Sequence, residues 1–226
     1  FELDAELHGA LEAYATVESV GLFAVLQAAF ATVLADETGD AEVRIGTANA
    51  NRAHAALDGV VGNFAEDLPM RFTVTDEQRV ADLVRHAQRQ LLGGLAHPDV
   101  SVPDLVDALD LPAAAGGPAG APFFPATLIL QQAEVGESGD GEVDLGGIRV
   151  RREPVANTVA KHLFEIALLE RRDRGRAAGL TGTLIFPVRR VPREQADGLV
   201  EHLVALLTAV ASGRASTMTE LTDRVR

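Results

Sequence analysis

The 226-residue chain contains no cysteine. That excludes disulfides, iron–sulfur ligation and thiolate catalysis, and it fits a reducing, cytoplasmic setting. Long apolar runs are also missing. The longest, Val20 to Ala35, is broken by Gln27 and Thr32 and falls short of the roughly 20 residues a membrane span needs, so it reads as a buried helix. The chain begins at Phe1 with no charged-then-apolar leader, so no signal peptide is visible and no membrane partner is expected. Positive charge is scarce: 33 acids against 20 bases give a net charge of −13, which argues against a general nucleic-acid partner. What is present is ordinary for a globular chain, with 47% apolar and 23% charged residues and enough length to bury a full core.

The charge is unevenly spread. Residues 1–148 carry six Arg against 24 acids, whereas residues 149–193 carry ten Arg and the only lysine, Lys161, against four acids. A basic island of net +7 therefore sits in an acidic chain.

Familiar chemistry is absent. No Gly-rich loop ends in Lys-Ser or Lys-Thr, and no Gly-x-Gly-x-x-Gly follows a strand. Gly136-Glu137-Ser138-Gly139 misses the hydrolase elbow because Asp140 stands where glycine is needed. The six histidines show no metal-ligand spacing, and His8, His86 and His202 sit among polar neighbours on expected helices, where a surface position is expected. Asp140, Glu142 and Asp144 lack the Gly-centred calcium loop. No metal site and no catalytic residue is expected.

Periodicity predicts a mixed chain. Asp4 caps a helix to about Tyr14, and a buried helix from Val20 ends at Thr38-Gly39, where glycine supplies the left-handed cap. A strand over Val43–Thr47 and an extended segment over Leu68–Val74 follow. Thr75-Asp76-Glu77-Gln78 reads as a capping box for a helix with Val80, Leu83, Val84, Ala87, Leu91 and Leu95 on one face. Ser101 opens a short helix to about Leu109, and Ala113 to Pro122 is a Gly/Pro/Ala linker. Phe124–Gln132 reads as a buried strand and Ile148–Arg151 as a half-wet one. His162–Glu170 and Gly179–Phe186 form an antiparallel pair joined by a charged turn, Arg171 to Arg176, and a last helix runs from Pro192 to Ser212. The fold class expected is α/β (α+β), a mixed sheet packed with helices.

Several blocks, in order, resemble the C-terminal lobe of condensation domains of nonribosomal peptide synthetases, in the chloramphenicol-acetyltransferase-like superfamily. Val20 to Gly39 resembles the family's buried helix. Ile45-Gly46-Thr47-Ala48-Asn49-Ala50-Asn51-Arg52 is similar to VGTPVANR, and Val61-Gly62-Asn63-Phe64-Ala65-Glu66-Asp67-Leu68-Pro69 to IGFFVNTLP. His97-Pro98-Asp99-Val100-Ser101 resembles HQDLP, Phe123 to Gln132 resembles LFQVMFVLQN, and Ala160 to Glu165 resembles AKFDL. The blocks span nearly the whole chain.

The resemblance implies a single lobe over residues 1–226, facing an N-terminal lobe that carries the catalytic His-His-x-x-x-Asp-Gly. No His-His pair occurs in this chain. Together the lobes would join carrier-tethered acyl and aminoacyl groups by amide formation. The partners implied are that N-terminal lobe and a peptidyl carrier protein. No cofactor is bound directly, and substrates ride on the carrier's phosphopantetheine. Asn63, Glu66, Asp67 and Gln131 are the candidate channel residues, with Arg52, His97 and Asp99 as structural motif residues.

Departures mark the chain as atypical. Glu66 and Asp67 stand where the family motif has Asn and Thr, Gly120-Ala121 where it has Arg-Asn, and the Asp of KFDL is replaced in the stretch His162-Leu163-Phe164. Glu66 and Asp67 either face the channel and select an amine, or lie solvated at a sheet edge; alternation allows at most one of them to face it. Gln131 serves either the channel or a strand-end hydrogen bond, and Arg52 braces a loop or pairs with an acid. Arg171, Arg172 and Arg174 either dock an acidic carrier or simply balance nearby acids. Two other functions stay open: a degenerate domain that recruits a tailoring enzyme, and half of an acyl-CoA-dependent acyltransferase.

Overall fold

The computed structural model describes residues 1–52, 54–97, 100–110, 124–134, 142–144, 146–151, 159–213 and 216–223. The linker from Ala113, the loop from Gly136 and Asp99 lie outside them.

The strands are β1 (Glu2–Leu3), β2 (Glu42–Asn49), β3 (Glu66–Thr73), β4 (Ala126–Glu134), β5 (Glu142–Asp144), β6 (Arg149–Arg151), β7 (Phe164–Asp173) and β8 (Arg176–Ile185). The helices are α1 (Ala5–Glu18), α2 (Leu22–Thr38), α3 (Val80–Leu95), α4 (Val102–Ala108), α5 (Arg193–Ala211) and α6 (Met218–Asp223). Six strands form one mixed sheet in the order β1-β8-β7-β4-β2-β3, parallel at β7–β4 and β4–β2 and antiparallel elsewhere. β5 and β6 form a separate pair that sets Glu142 opposite Arg151 and Asp144 opposite Arg149.

Alternation decides the layers. Val43 and Ile45, Met70 and Phe72, Ala126 and Leu128, Ile166 and Leu168, and Leu180 all join one buried cluster with residues of α1, α2, α3 and α5. The intervening residues, such as Arg71, Gln131, Ala167 and Thr183, face the other way and are exposed. Among the described residues that second face carries no helix layer.

At the centre is α2, buried from Ala24 to Ala35. The two polar residues in its apolar run are bonded internally: Gln27 Nε2 donates to Met70 Sδ at 3.3 Å and Thr32 Oγ1 to the Ala28 carbonyl at 2.9 Å. No single described helix is long and apolar enough to cross a membrane. The bent pair α1 and α2 passes that test only jointly, and α2 is spent on the core.

Three expectations change. Thr75–Gln78 is not a capping box, and α3 starts at Val80 with Arg79 as its cap. The Gln78 amide donates to the Thr75 carbonyl at 3.0 Å instead, the Gln78 carbonyl accepts from Met218 N–H at 2.8 Å, and Val80 N–H donates to the Ser216 carbonyl at 3.1 Å. The capping box lies at Ser101 and Asp104 instead, where the Ser101 hydroxyl and amide hold the Asp104 carboxyl below its usual range. Finally, the charged turn shrinks to two residues, Arg174 and Gly175, both at positive φ. Arg171, Arg172 and Arg176 therefore belong to strands.

Candidate functional site

The central sheet opens where its two parallel neighbours part. β2 and β4 pair only at Ile45–Ala126 and Gly46–Thr127. Beyond that, β2 stays on β3 as far as Asn49–Glu66, and β4 stays on β7 as far as Glu134–Arg172. Each strand keeps its outer partner while the inner pairing ends, so a notch forms at their carboxyl ends. Ligands of α/β sheets commonly bind at such a place.

The notch holds a cavity of about 420 Å³ lined by Phe23 of α2, Leu91 and Leu95 of α3, Leu68 and Leu130, with Thr47, Asn49 and Gln132 as polar groups. Leu91 and Leu95 belong to the expected apolar stripe of α3, but they line this cavity while the earlier turns fill the core. A second depression of about 460 Å³ shares Phe23, Leu130 and Gln132 and continues toward Glu12, Glu170 and Arg172.

That end is charged and buried. His8 is fully buried and Glu170 is 1% exposed. This overturns the surface position expected for His8: α1 runs over β8, which brings His8 against the sheet. His8 Nδ1 accepts from the Gly179 amide at 3.2 Å, and its Nε2 lies 3.2 Å from Glu170 Oε1. The Arg172 guanidinium lies 2.5 Å from the same oxygen, also bonds Glu12, and donates to the Gly175 carbonyl at 3.0 Å. Gln132 Nε2 donates to Glu170 Oε2 at 2.8 Å. Burial works against the charge of Arg172, but hydrogen bonds and attraction from Glu12 and Glu170 outweigh it and raise its pKa. His8, Glu12 and Glu170 have the donor types and closeness of a divalent-metal set. Arg172 stands among them and already supplies the positive charge.

None of the described site residues expected from sequence lines this cavity, and of them only Arg172 lines the adjoining depression. Glu66 and Asp67 are both exposed, opposite Asn49 and Ala48. Alternation puts Glu66 on the cavity side with Leu68, and Asp67 on the uncovered face with Arg71. Asn63 is exposed and its Oδ1 accepts from the Ala65 amide at 3.1 Å. Gln131 is exposed on the uncovered face, and it is Gln132 that enters the cavity wall. Arg52 reaches across its own loop to the carbonyls of Leu57, Val60 (3.1 Å) and Gly62 (2.8 Å), with its guanidinium 4.7 Å from the Phe64 ring centre. Its described partners are carbonyls and a ring. His97 is exposed in the turn after α3.

Two of the three arginines singled out in the basic island are paired with acids. Arg171 pairs with Glu2 at 2.8 Å, and Arg172 belongs to the buried cluster. Arg174 is exposed at the hairpin tip. Glu165, which sequence reasoning passed over, accepts from the amides of Lys161 at 2.6 Å and His162 at 3.2 Å at the entry to β7.

A mixed sheet with one helix layer and a parted pair of parallel strands defines the class of fold, and solved structures share it. The chain superposes on the X-domain in its complex with OxyB from teicoplanin biosynthesis with a TM-score of 0.83 at 23% identity, covering 97% of this chain and 46% of that one. On the first condensation domain of the CDA synthetase the TM-score is 0.70 at 20% identity, again covering 97% and 46%. In sequence, tyrocidine synthase 3 of Brevibacillus parabrevis is 25% identical over 221 residues, which are 98% of this chain and 3% of that protein. The family model described as "Condensation domain" matches residues 1–222. The chain belongs to the condensation-domain family. It spans less than half the length of either solved chain and a small part of the synthase.

Proposed function

We propose that residues 1–226 form the C-terminal lobe of a condensation-type domain in nonribosomal peptide biosynthesis, supplying channel wall and carrier docking but no catalytic base. The observation that carries this reading is the notch between β2 and β4, an apolar cavity with a few polar groups in a chain without His-His-x-x-x-Asp-Gly. In the reaction an amine nitrogen attacks a thioester carbonyl carbon, the C–N bond forms, the C–S bond breaks, and the amine proton ends on the departing thiol. A lobe of this kind acts by holding the acyl chain and excluding water.

Within this proposal Glu66 and Gln132 present polar groups on the notch side of the strands, while Asn63, Asp67 and Gln131 line the rim and the uncovered face toward the N-terminal lobe. Arg52 braces the loop between β2 and β3. His97 braces the turn after α3. Docking of an acidic carrier rests on Arg174, with Arg171 and Arg172 held in place by their own acids, and the substrates arrive on the carrier's phosphopantetheine. The setting is cytoplasmic.

A second reading has specific support. The TM-score is higher for the X-domain, at 0.83, than for the CDA condensation domain, at 0.70, and that X-domain is in complex with OxyB. By this reading the chain belongs to a degenerate condensation domain that recruits a tailoring enzyme. The deciding experiment supplies the domain that carries this chain with two loaded carrier proteins and follows peptide by mass spectrometry. Amide product supports condensation. No product, together with tight binding of a tailoring enzyme, supports recruitment.

A further inference from the structure

Gln132 lines both depressions of the notch, and its amide is held in one orientation. Glu170, the acceptor of its Nε2–H at 2.8 Å, is ionised beside the Arg172 guanidinium at 2.5 Å from its Oε1. An ionised carboxylate only accepts hydrogen bonds, so the amide NH₂ must face it. His8 closes the third side. Its Nδ1 accepts from the Gly179 amide, so the ring proton sits on Nε2, 3.2 Å from the same Glu170 oxygen. Turning Gln132 over would set its carbonyl oxygen against a buried negative charge. Gln132 Oε1 therefore points away from Glu170, toward the space that it lines.

The surroundings of that oxygen have a sign. Glu12, Glu170 and Arg172 together carry −1 with His8 neutral. Beside them lies the apolar wall of Phe23, Leu91, Leu95 and Leu130. A carboxylate entering here would meet a locked acceptor and net negative charge, while an ammonium would meet a hydrogen-bond acceptor and net attraction.

We infer that Gln132 is a specificity-determining residue of this notch, selecting substrate groups with an apolar body that ends in an amine and rejecting the matching carboxylates. Glu170 is the positioning residue that fixes its orientation, with His8 and Arg172 holding Glu170. The inference rests on the proposal that the notch faces the substrate channel.

Three eight-carbon probes of one shape test it: octylamine, octanoate and octanol, titrated at pH 7 into the intact domain that carries this chain. Methyl NMR of Leu91, Leu95 and Leu130 reports occupancy. Octylamine should bind about tenfold or more tighter than octanoate, from one charge-assisted hydrogen bond gained and one repulsion avoided. Gln132→Leu should cut that preference at least about threefold, leaving the part due to the charge of the cluster, while octanol affinity stays within about twofold, so the readout is a ratio and not stability. Glu170→Gln, which frees Gln132 to turn, should shrink the same ratio with Gln132 still present. If octanol perturbs these methyls but octanoate binds as tightly as octylamine, or if the preference is undiminished in Gln132→Leu, the role assigned to Gln132 is overturned. If none of the three probes reaches these methyls, the notch is not a substrate cavity, and the proposal beneath the inference fails with it.

Discussion

Glu170→Ala should be among the most damaging single changes in the chain. The carboxylate is 1% exposed, accepts a hydrogen bond from Gln132 at 2.8 Å, and has the Arg172 guanidinium at 2.5 Å and His8 Nε2 at 3.2 Å as charge-pair contacts. Removing one partner of a buried pair costs about 3–5 kcal/mol. Arg172 is still a quarter exposed and keeps Glu12, which pulls the loss to the lower end, about 3–4 kcal/mol. Glu170→Gln keeps an acceptor and should cost about 1–3 kcal/mol. A triple variant with leucine at His8, Glu170 and Arg172 should recover most of the loss, because an apolar cluster of similar volume has no charge to desolvate. Urea unfolding at pH 7 measures all three. Thermal midpoints should fall by about 6–16 °C for Glu170→Ala if the lobe unfolds as a unit. A Glu170→Ala protein within about 1 kcal/mol of the parent would refute the account of the cluster, and so would a triple variant less stable than the single one.

Other changes test separate parts of the fold. A Cβ on Gly46 would strike the Phe124 ring, which stacks on His162 with centroids 5.3 Å apart; Gly46→Ala should cost about 1–3 kcal/mol, and Phe124→Leu should return part of it in a double-mutant cycle. Arg52→Lys replaces a fork that serves three carbonyls with a point charge, so protease should cleave the loop between Arg52 and Phe64 several-fold faster with little change in global stability. Tyr14 is raised to about 12 by burial, then by Glu18. Its pKa is higher folded than unfolded, so its contribution is intact below about pH 10 and lost as pH rises from 10 to 12. The stability difference between the parent and Tyr14→Phe should be flat from pH 7 to 10 and then shift by about 1 kcal/mol, allowing for partial exposure. No shift above pH 10 would contradict that environment.

Local signals were legible in the residues. The run from Val20 to Ala35 is too apolar for any place but the centre, and α2 occupies it. Asp4 caps α1 by accepting from Leu7 N–H at 2.8 Å, and Gly39 ends α2 at positive φ. Alternation in Phe124–Gln132 separated Leu128 and Leu130 from Thr127, Ile129 and Gln131 correctly, but it could not say whether Gln131 or its neighbour Gln132 meets the cavity. Only the parting of β2 from β4 decides that, and it turns attention from Gln131 to Gln132. The buried cluster was invisible for a similar reason. His8 and Glu12 meet Glu170, Arg172 and Gly179 from about 160–170 residues away in sequence, and nothing near His8 on α1 hints at such a partner. Thr75–Gln78 has the right residue types for a capping box, yet the Gln78 amide bonds the Thr75 carbonyl, and the Asp76 and Gln78 carbonyls bond the distant C-terminal segment.

The most direct test of the central proposal is amide formation by the separated lobe. Residues 1–226 would be supplied with loaded donor and acceptor carriers, first alone and then with the lobe bearing His-His-x-x-x-Asp-Gly. Methyl NMR of Leu26, Val33 and Leu128 would show that the core is formed. The account predicts product at the uncatalysed rate from the folded lobe alone, and faster product only after the second lobe is added. Accelerated amide formation by residues 1–226 alone would contradict it.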